Sequence, residues 1–450
     1  MRKLAKRILL LAGLSYCLFS LSYNLYQHSV LQRAKLPFEQ GWYEYTQAYL
    51  ATDEDIYPRM IETIKPQQQI FISMFIWFYH KDSNQQANII PYDLQFAEYL
   101  HKQKAKGDIF IDSLNLDYQL KPDQAFTSAA MQAAPEMNWH VMTQPTALPN
   151  NLFMWLFHNP WTQELIEKFF PVKLQQIYKI LCLSSNHQKV VVLDQGRAAW
   201  LGTRNFNRLN WNNHDQMVFI SGDIAKKIYA EAARTIVRLN PNQTSAMLKQ
   251  AEQADAEFKP QVLGNSEQQA KLLTTAEAKP VLQYLISHAV KIDAQIGVFA
   301  DPDLISELNR FLARKGQLRL LMDANQYSFS LKMPFMPNII PLTDIKLKET
   351  MRIMPTDFQM HVKSALFTLE DGRSFYLTGS ANWTTGALDH YSFNDLGLVI
   401  ADDAKINGQY LTNFNKLWQQ ASPVDDISIE QPRLKYYLAR LMLWIGYNPW

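Results

Sequence analysis

The chain has 450 residues, enough for two domains or one bilobal unit. Hydrophobic residues make up 47% and charged residues 19%, which supports a large buried core and excludes an intrinsically disordered chain. Lys and Arg total 44 against 42 Asp and Glu, a formal charge of +2; a dedicated nucleic-acid binder would carry a clear basic excess. Two cysteines, Cys17 and Cys182, exclude a disulfide framework, and without Cys/His clusters no metal or cofactor is implied.

Arg2, Lys3, Lys6 and Arg7 precede a segment, Ile8 to Gln32, that contains no Asp, Glu, Lys or Arg. Ile8 to Tyr26 is mostly apolar and, at roughly 1.5 Å per residue, just long enough to cross a bilayer. Residues 1–32 therefore read as a membrane anchor, with a cleaved signal segment as the rival. The basic start puts the N-terminus in the cytoplasm and the body outside it.

Ile70 to Tyr79 is an apolar run of strand length, Tyr92 to Lys106 has helix composition and stops at Gly107, and Asp108 to Asp112 is a second strand. The pattern recurs as strand Ile292 to Phe299, helix Pro302 to Lys315 and strand Leu318 to Asp323. Met217 to Ile220 leads into a helix from Ile224 to Leu239, and Leu396 to Ile400 into one from Ala404 to Gln420. The expected fold is α/β: two similar lobes, 40–240 and 271–422, with mixed sheets flanked by helices and joined by a linker at 241–270. The first lobe is longer, mostly through an insertion at about 138–185 that carries Trp139, Trp155, Phe157, Trp161, Phe169, Phe170 and Tyr178. These aromatics either fill an inserted helical pair or form an apolar wall for acyl chains. The tail, 423–450, mixes cations with Leu, Tyr and Trp, and either lies at a membrane interface or packs back on the body.

Each lobe carries one polar signature. His187-x-Lys189 is followed by an apolar strand, a turn at Asp194-Gln195-Gly196, a return strand and Gly202-Thr203-Arg204-Asn205. Residues two apart on a strand share a face, so an imidazole and an ammonium stand side by side and the return strand brings Asn205 close. That set suits a phosphate. His361-x-Lys363 opens a second copy that ends in Gly379-Ser380-Ala381-Asn382. Thr368 stands where the first copy has Asp194, and the turn holds Asp371.

The paired hairpins resemble the phospholipase D superfamily, whose HxKxxxxD…GSxN motif occurs twice per active site. Gly202 to Asn207 and the later Asp215 look most like the bacterial cardiolipin synthases. The resemblance implies two phospholipase D-like lobes related by a pseudo-two-fold axis, a phospholipid substrate, a membrane setting in the bacterial envelope and no metal. It implies a phosphodiesterase or transphosphatidylase that works through a phosphohistidine. His187 is expected to attack phosphorus and His361 to carry the proton. Lys189, Lys363, Asn205 and Asn382, with Thr203 and Ser380, would hold the phosphate oxygens, and Asp194 would support its turn. Each imidazole needs a carboxylate to fix its tautomer. Asp215 and Asp395 sit at matching places before the strands that follow the motifs, with Asp215 expected behind His187. The alternatives are a nuclease of the same superfamily, disfavoured by the near-neutral charge, and a non-catalytic phosphate or lipid binder.

Overall fold

The computed structural model describes residues 11–22, 25, 37–75, 77–78, 92–112, 130–142, 159–171, 185–207, 213–240, 242–256, 259–264, 267–323, 344, 350–355, 357–389, 393–424 and 433–444. Two mixed sheets carry the fold. The first has seven strands, in the order Gln47–Thr52, Gln216–Ser221, Ala198–Gly202, Lys189–Leu193, Gln69–Met74, Lys106–Asp112 and Met137–Met142. The second has ten, and its centre repeats that order: Gln269–Thr274, Leu396–Ala401, Ser374–Gly379, Lys363–Leu369, Ala289–Ile296 and Gln317–Met322. In each sheet the motif strand pairs antiparallel with its return strand and with the strand that opens the lobe's β–α–β unit.

The sheets face one another across the helices Asp223–Leu239 and Ala404–Gln420. Helices Ile56–Thr63 and Tyr92–Lys102 cover the outer face of the first sheet, and Thr275–His288 and Pro302–Ala313 that of the second. Both faces of each sheet are therefore buried, which explains why the motif strands read as continuous apolar runs. Val190 and Val192 point into the shared interior, while Val191 and Leu193 point into the outer core.

The motif glycines answer to this layering. A Cβ on Gly202 would lie 2.2 Å from the Gln216 carbonyl oxygen, and one on Gly379 would lie 2.5 Å from the Gly397 Cα. The return strand can approach the strand after it this closely only without a side chain there.

Two expectations about boundaries need correction. Gln40–Glu44 is an internal strand of the second sheet, paired with Gln261–Val262 and Gln269–Thr274, although it precedes the first lobe in sequence. The stretch 241–270 is not a free linker. Ala246–Ala256 is a helix that packs Met247, Leu248 and Ala251 into the shared core, and Tyr229 donates to the Met247 carbonyl oxygen at 2.6 Å. Apolar residues spaced one and four apart supplied that helical stripe.

In the insertion, Met137–Met142 adds an edge strand to the first sheet, and Pro160–Phe169 is a helix. Trp155, Phe157 and Tyr178 lie outside the described residues. Residues 11–22 are helical and dock on the Pro160–Phe169 helix. Asn159 donates to the hydroxyls of Tyr16 at 2.9 Å and Ser20 at 3.4 Å, Tyr16 also pairs with Thr162, and Phe19 lies 4.1 Å from Trp161. Among the described residues no helix is long and apolar enough to cross a membrane. In the tail, Arg433–Trp444 is a helix held to the body by Tyr436 and Arg440, which donate to Asp344 at 2.7 and 2.5 Å.

Candidate active site between the lobes

The two motifs are brought together by a pair of short parallel bridges between the lobes. Ser185–Asn186, just before His187, pairs with Phe393–Asn394, just before Asp395. Gln359–Met360, just before His361, pairs with Asn213–His214, just before Asp215. His187 N donates to the Asn394 carbonyl oxygen at 3.1 Å, and His361 N to that of His214 at 2.9 Å. Parallel pairing keeps the next residues level, so each histidine lies beside the carboxylate of the opposite lobe.

The carboxylates are thus exchanged. His187 Nδ1 lies 2.7 Å from Asp395 Oδ1, and His361 Nδ1 lies 2.8 Å from Asp215 Oδ1. The expectation that Asp215 stands behind His187 is wrong, because the strand that presents Asp215 runs to the second lobe. A carboxylate accepts only from N–H, so both rings carry their proton on Nδ1 and leave Nε2 free for chemistry.

Thr203 and Ser380 also take different places from those expected. Their hydroxyls donate to Asp215 Oδ1 and Asp395 Oδ1, each at 2.6 Å, and so brace the carboxylates rather than face a phosphate. Lys189 and Lys363, each 1% exposed, fold back to donate to the carbonyl oxygens of His187 and His361. Asn205 and Asn382 are buried, and their side-chain oxygens have no hydrogen-bond partner among the described residues. Each amide therefore has an unused end. Asp194 is remote from this cluster. It sits in the hairpin turn at φ 46°, accepts from Gln68 at 2.9 Å and pairs with Arg197 at 2.7 Å.

Several contributors were missed in the sequence. Asp112 accepts from Asn186 N at 2.5 Å, and Asp323 from Met360 N at 2.9 Å. Each pins the residue before a motif histidine. Their signal was present as an acidic residue ending the second strand of both β–α–β units. Phe75 and Phe393 bracket the His187 ring with centroids at 4.5 and 4.8 Å, for which the sequence offered no sign. His214 is buried and bridges Asp53 at 2.8 Å and Gln295 at 2.8 Å while its carbonyl holds His361. Burial opposes its charge, but Asp53 outweighs that and raises its pKa.

The electrostatics suit an anion. Burial pushes the His187 pKa down to about 3 and that of His361 down to about 4, with the neighbouring lysines adding to the effect against the carboxylates. Burial also lowers Lys363 to about 8 and Lys189 well below its ordinary value. For Asp215 burial works in the opposite sense, but His361, Arg204 and Lys363 overcome it and hold the carboxyl ionised. Both imidazoles are thus neutral near pH 7. An entering phosphate anion offsets the lysine charge and lets one ring accept a proton, so binding must be coupled to proton uptake. Titration of the purified chain with inorganic vanadate at pH 7, in buffers of different ionisation heat, should give uptake of roughly one proton per site. Binding without uptake would contradict this charge balance.

The family model described as cardiolipin synthase, phospholipase D-like domain, matches residues 282–418, which include His361, Lys363, Asn382 and Asp395. Among solved structures, phosphatidylserine synthase from Haemophilus influenzae Rd KW20 is similar at a TM-score of 0.57 and 11% identity, covering 94% of this chain and 97% of that one. Polyphosphate kinase from Porphyromonas gingivalis gives 0.48 at 12% identity, over 88% and 55%. The phospholipase D family member Nuc from Salmonella typhimurium gives 0.28 at 18% identity, over 35% and 97%. No curated protein matches the chain. The second lobe thus matches a phospholipase D-like family model, and the chain as a whole is similar in fold to that phosphatidylserine synthase.

Proposed function

We propose that the chain is a phosphodiesterase or phosphatidyltransferase that acts on phospholipids through a phosphohistidine. The observation that carries this reading is the convergence of two His–Asp pairs and two buried lysines in one site with both Nε2 atoms free. In the first step Nε2 of His187 bonds to phosphorus, the bond from phosphorus to the leaving oxygen breaks, and that oxygen takes a proton from His361. In the second step water or an alcohol attacks phosphorus, gives its proton to His361, and the P–N bond returns its electron pair to His187. Lys189 and Lys363 balance the charge on the non-bridging oxygens, with the amides of Asn205 and Asn382. Exposure supports this division of roles. The His187 side chain is 5% exposed and bracketed by phenylalanines, whereas that of His361 is 19% exposed, as suits a group that exchanges protons with incoming acceptors.

With labelled phosphatidylglycerol, the detergent-purified chain should form product that falls by at least ~10³-fold in His187→Ala and in His361→Ala. Cleavage of DNA with no lipid turnover would overturn the lipid reading, and activity surviving both substitutions would overturn the site.

A membrane setting is part of the proposal. The helix at residues 11–22 and its partner Pro160–Phe169 share polar contacts through Asn159 and leave large apolar side chains exposed. Asn159 and Ser20 are fully buried, while Leu14, Leu18, Leu165 and Phe169 are 53–69% exposed. Exposed apolar side chains of this size fit an apolar surround, and the four basic residues among the first seven suit anionic headgroups. Full-length protein should co-sediment with phosphatidylglycerol vesicles, and the double variant Leu165→Glu/Phe169→Glu should weaken binding at least about tenfold. Equal binding by the variant would refute this surface.

A further inference from the structure

The two His–Asp pairs are nearly symmetric, but the charge behind them is not. Asp215 Oδ2 accepts from Arg204 Nη1 at 3.0 Å in a fully buried ion pair, and the same nitrogen donates to the Asn213 carbonyl oxygen at 3.0 Å. The matching residue of the second motif is Ala381. Beside it lies a cavity of about 20 Å³ lined by Lys363, Thr378 and Asp395 among others. Asp395 Oδ2, in a residue 3% exposed, has no hydrogen-bond partner among the described residues. One carboxylate is therefore shared between a histidine and a guanidinium, while among the described residues the other is bonded by the Ser380 hydroxyl and its histidine.

We propose that Arg204 is a positioning residue that makes the pairs unequal, committing His361 to proton transfer and leaving His187 to bear the phosphoryl group. This rests on the phosphohistidine reading above. Phosphorylation at Nε2 leaves a cationic imidazolium on His187, and the full charge of Asp395 stabilises it. His361 has the reverse need. It must release a proton to the leaving oxygen and take one back from the acceptor, so its partner carboxylate must not hold the charged ring too firmly. Arg204 drains charge from Asp215 and keeps that ring a ready donor and, once deprotonated, a ready base.

Other charged groups face His361 as well. Lys363 lies on its own strand, and Lys189 and His187 come from the first motif. The His214–Asp53 pair precedes Asp215, and Asp323 lies behind Met360. Arg204 differs from these in contacting the carboxylate itself; across the pseudo-two-fold its place is taken by Ala381, and Arg238 there donates to Asn394 Oδ1 at 2.6 Å, beside Asp395.

The test uses the full-length protein and bis(p-nitrophenyl) phosphate, whose leaving group needs no acid, so that His361 acts mainly as the base of the second step. In Arg204→Gln, Asp215 regains its full hold on the His361 proton. The acidic limb of the steady-state pH profile should move up by roughly one to three units. A burst of about one nitrophenolate per chain should appear as the phosphoenzyme accumulates. Arg204→Lys should restore both readouts, and a merely structural role would move neither. A folded, active Arg204→Gln with an unmoved profile and no burst overturns the inference. If Arg204→Gln fails to fold, Asp215→Asn is compared with Asp215→Asn/Arg204→Gln, which leaves no unpaired buried charge. The single variant leaves the guanidinium facing His361, so its limb should fall below that of the double variant, and identical limbs overturn the inference. A wild-type chain that releases no nitrophenolate overturns the phosphohistidine reading, and the role of Arg204 with it.

Discussion

Everything in the site depends on the exchange of strand ends between the lobes. Two residues before each histidine pair with two residues before the opposite carboxylate, and the main-chain bond from each histidine N fixes the register. The result is that neither lobe contains the carboxylate partner of its own motif histidine. Four buried ionisable groups, two imidazoles and two carboxylates, are assembled only when the sheets close over the shared helices. Burying such groups singly costs several kcal/mol each, so the interface that pairs them is also what makes them tolerable.

Around that exchange the structure works at fixed distances. Asp112 and Asp323 hold the backbone just before each histidine, Thr203 and Ser380 hold the carboxylates, and the motif glycines let the return strands approach. Each is a hydrogen bond or a close approach on a rigid sheet, which positions a reacting group better than a loop would. The same burial that fixes geometry also keeps the imidazoles neutral and the lysines poorly solvated.

Much of this was legible in the sequence, and the failures have physical causes. The duplicated His-x-Lys hairpins, the two α/β lobes and the positions of Asp215 and Asp395 follow from strand periodicity and spacing. Which lobe each carboxylate serves does not, because local spacing carries no information about a bridge between residues 214 and 360. The strand Gln40–Glu44 misled for the same reason, being local to one lobe in sequence and to the other in space. Ala246–Ala256 was hidden by an Ala- and Gln-rich composition that suits both linkers and helices. Asp112 and Asp323 could have been found, since they end matching strands. The phenylalanine bracket on His187 could not, because Phe75 and Phe393 meet only through the fold.

The crossed pairing is the central claim, and histidine proton spectra test it directly. In protein labelled with ¹⁵N-histidine, each Nδ1–H held by a carboxylate gives a strongly downfield resonance, assigned by its loss in His187→Ala or His361→Ala. Asp395→Asn should remove or shift the resonance of His187 and leave that of His361, while Asp215→Asn should do the opposite. Loss of the His361 resonance in Asp395→Asn, with that of His187 intact, would contradict it.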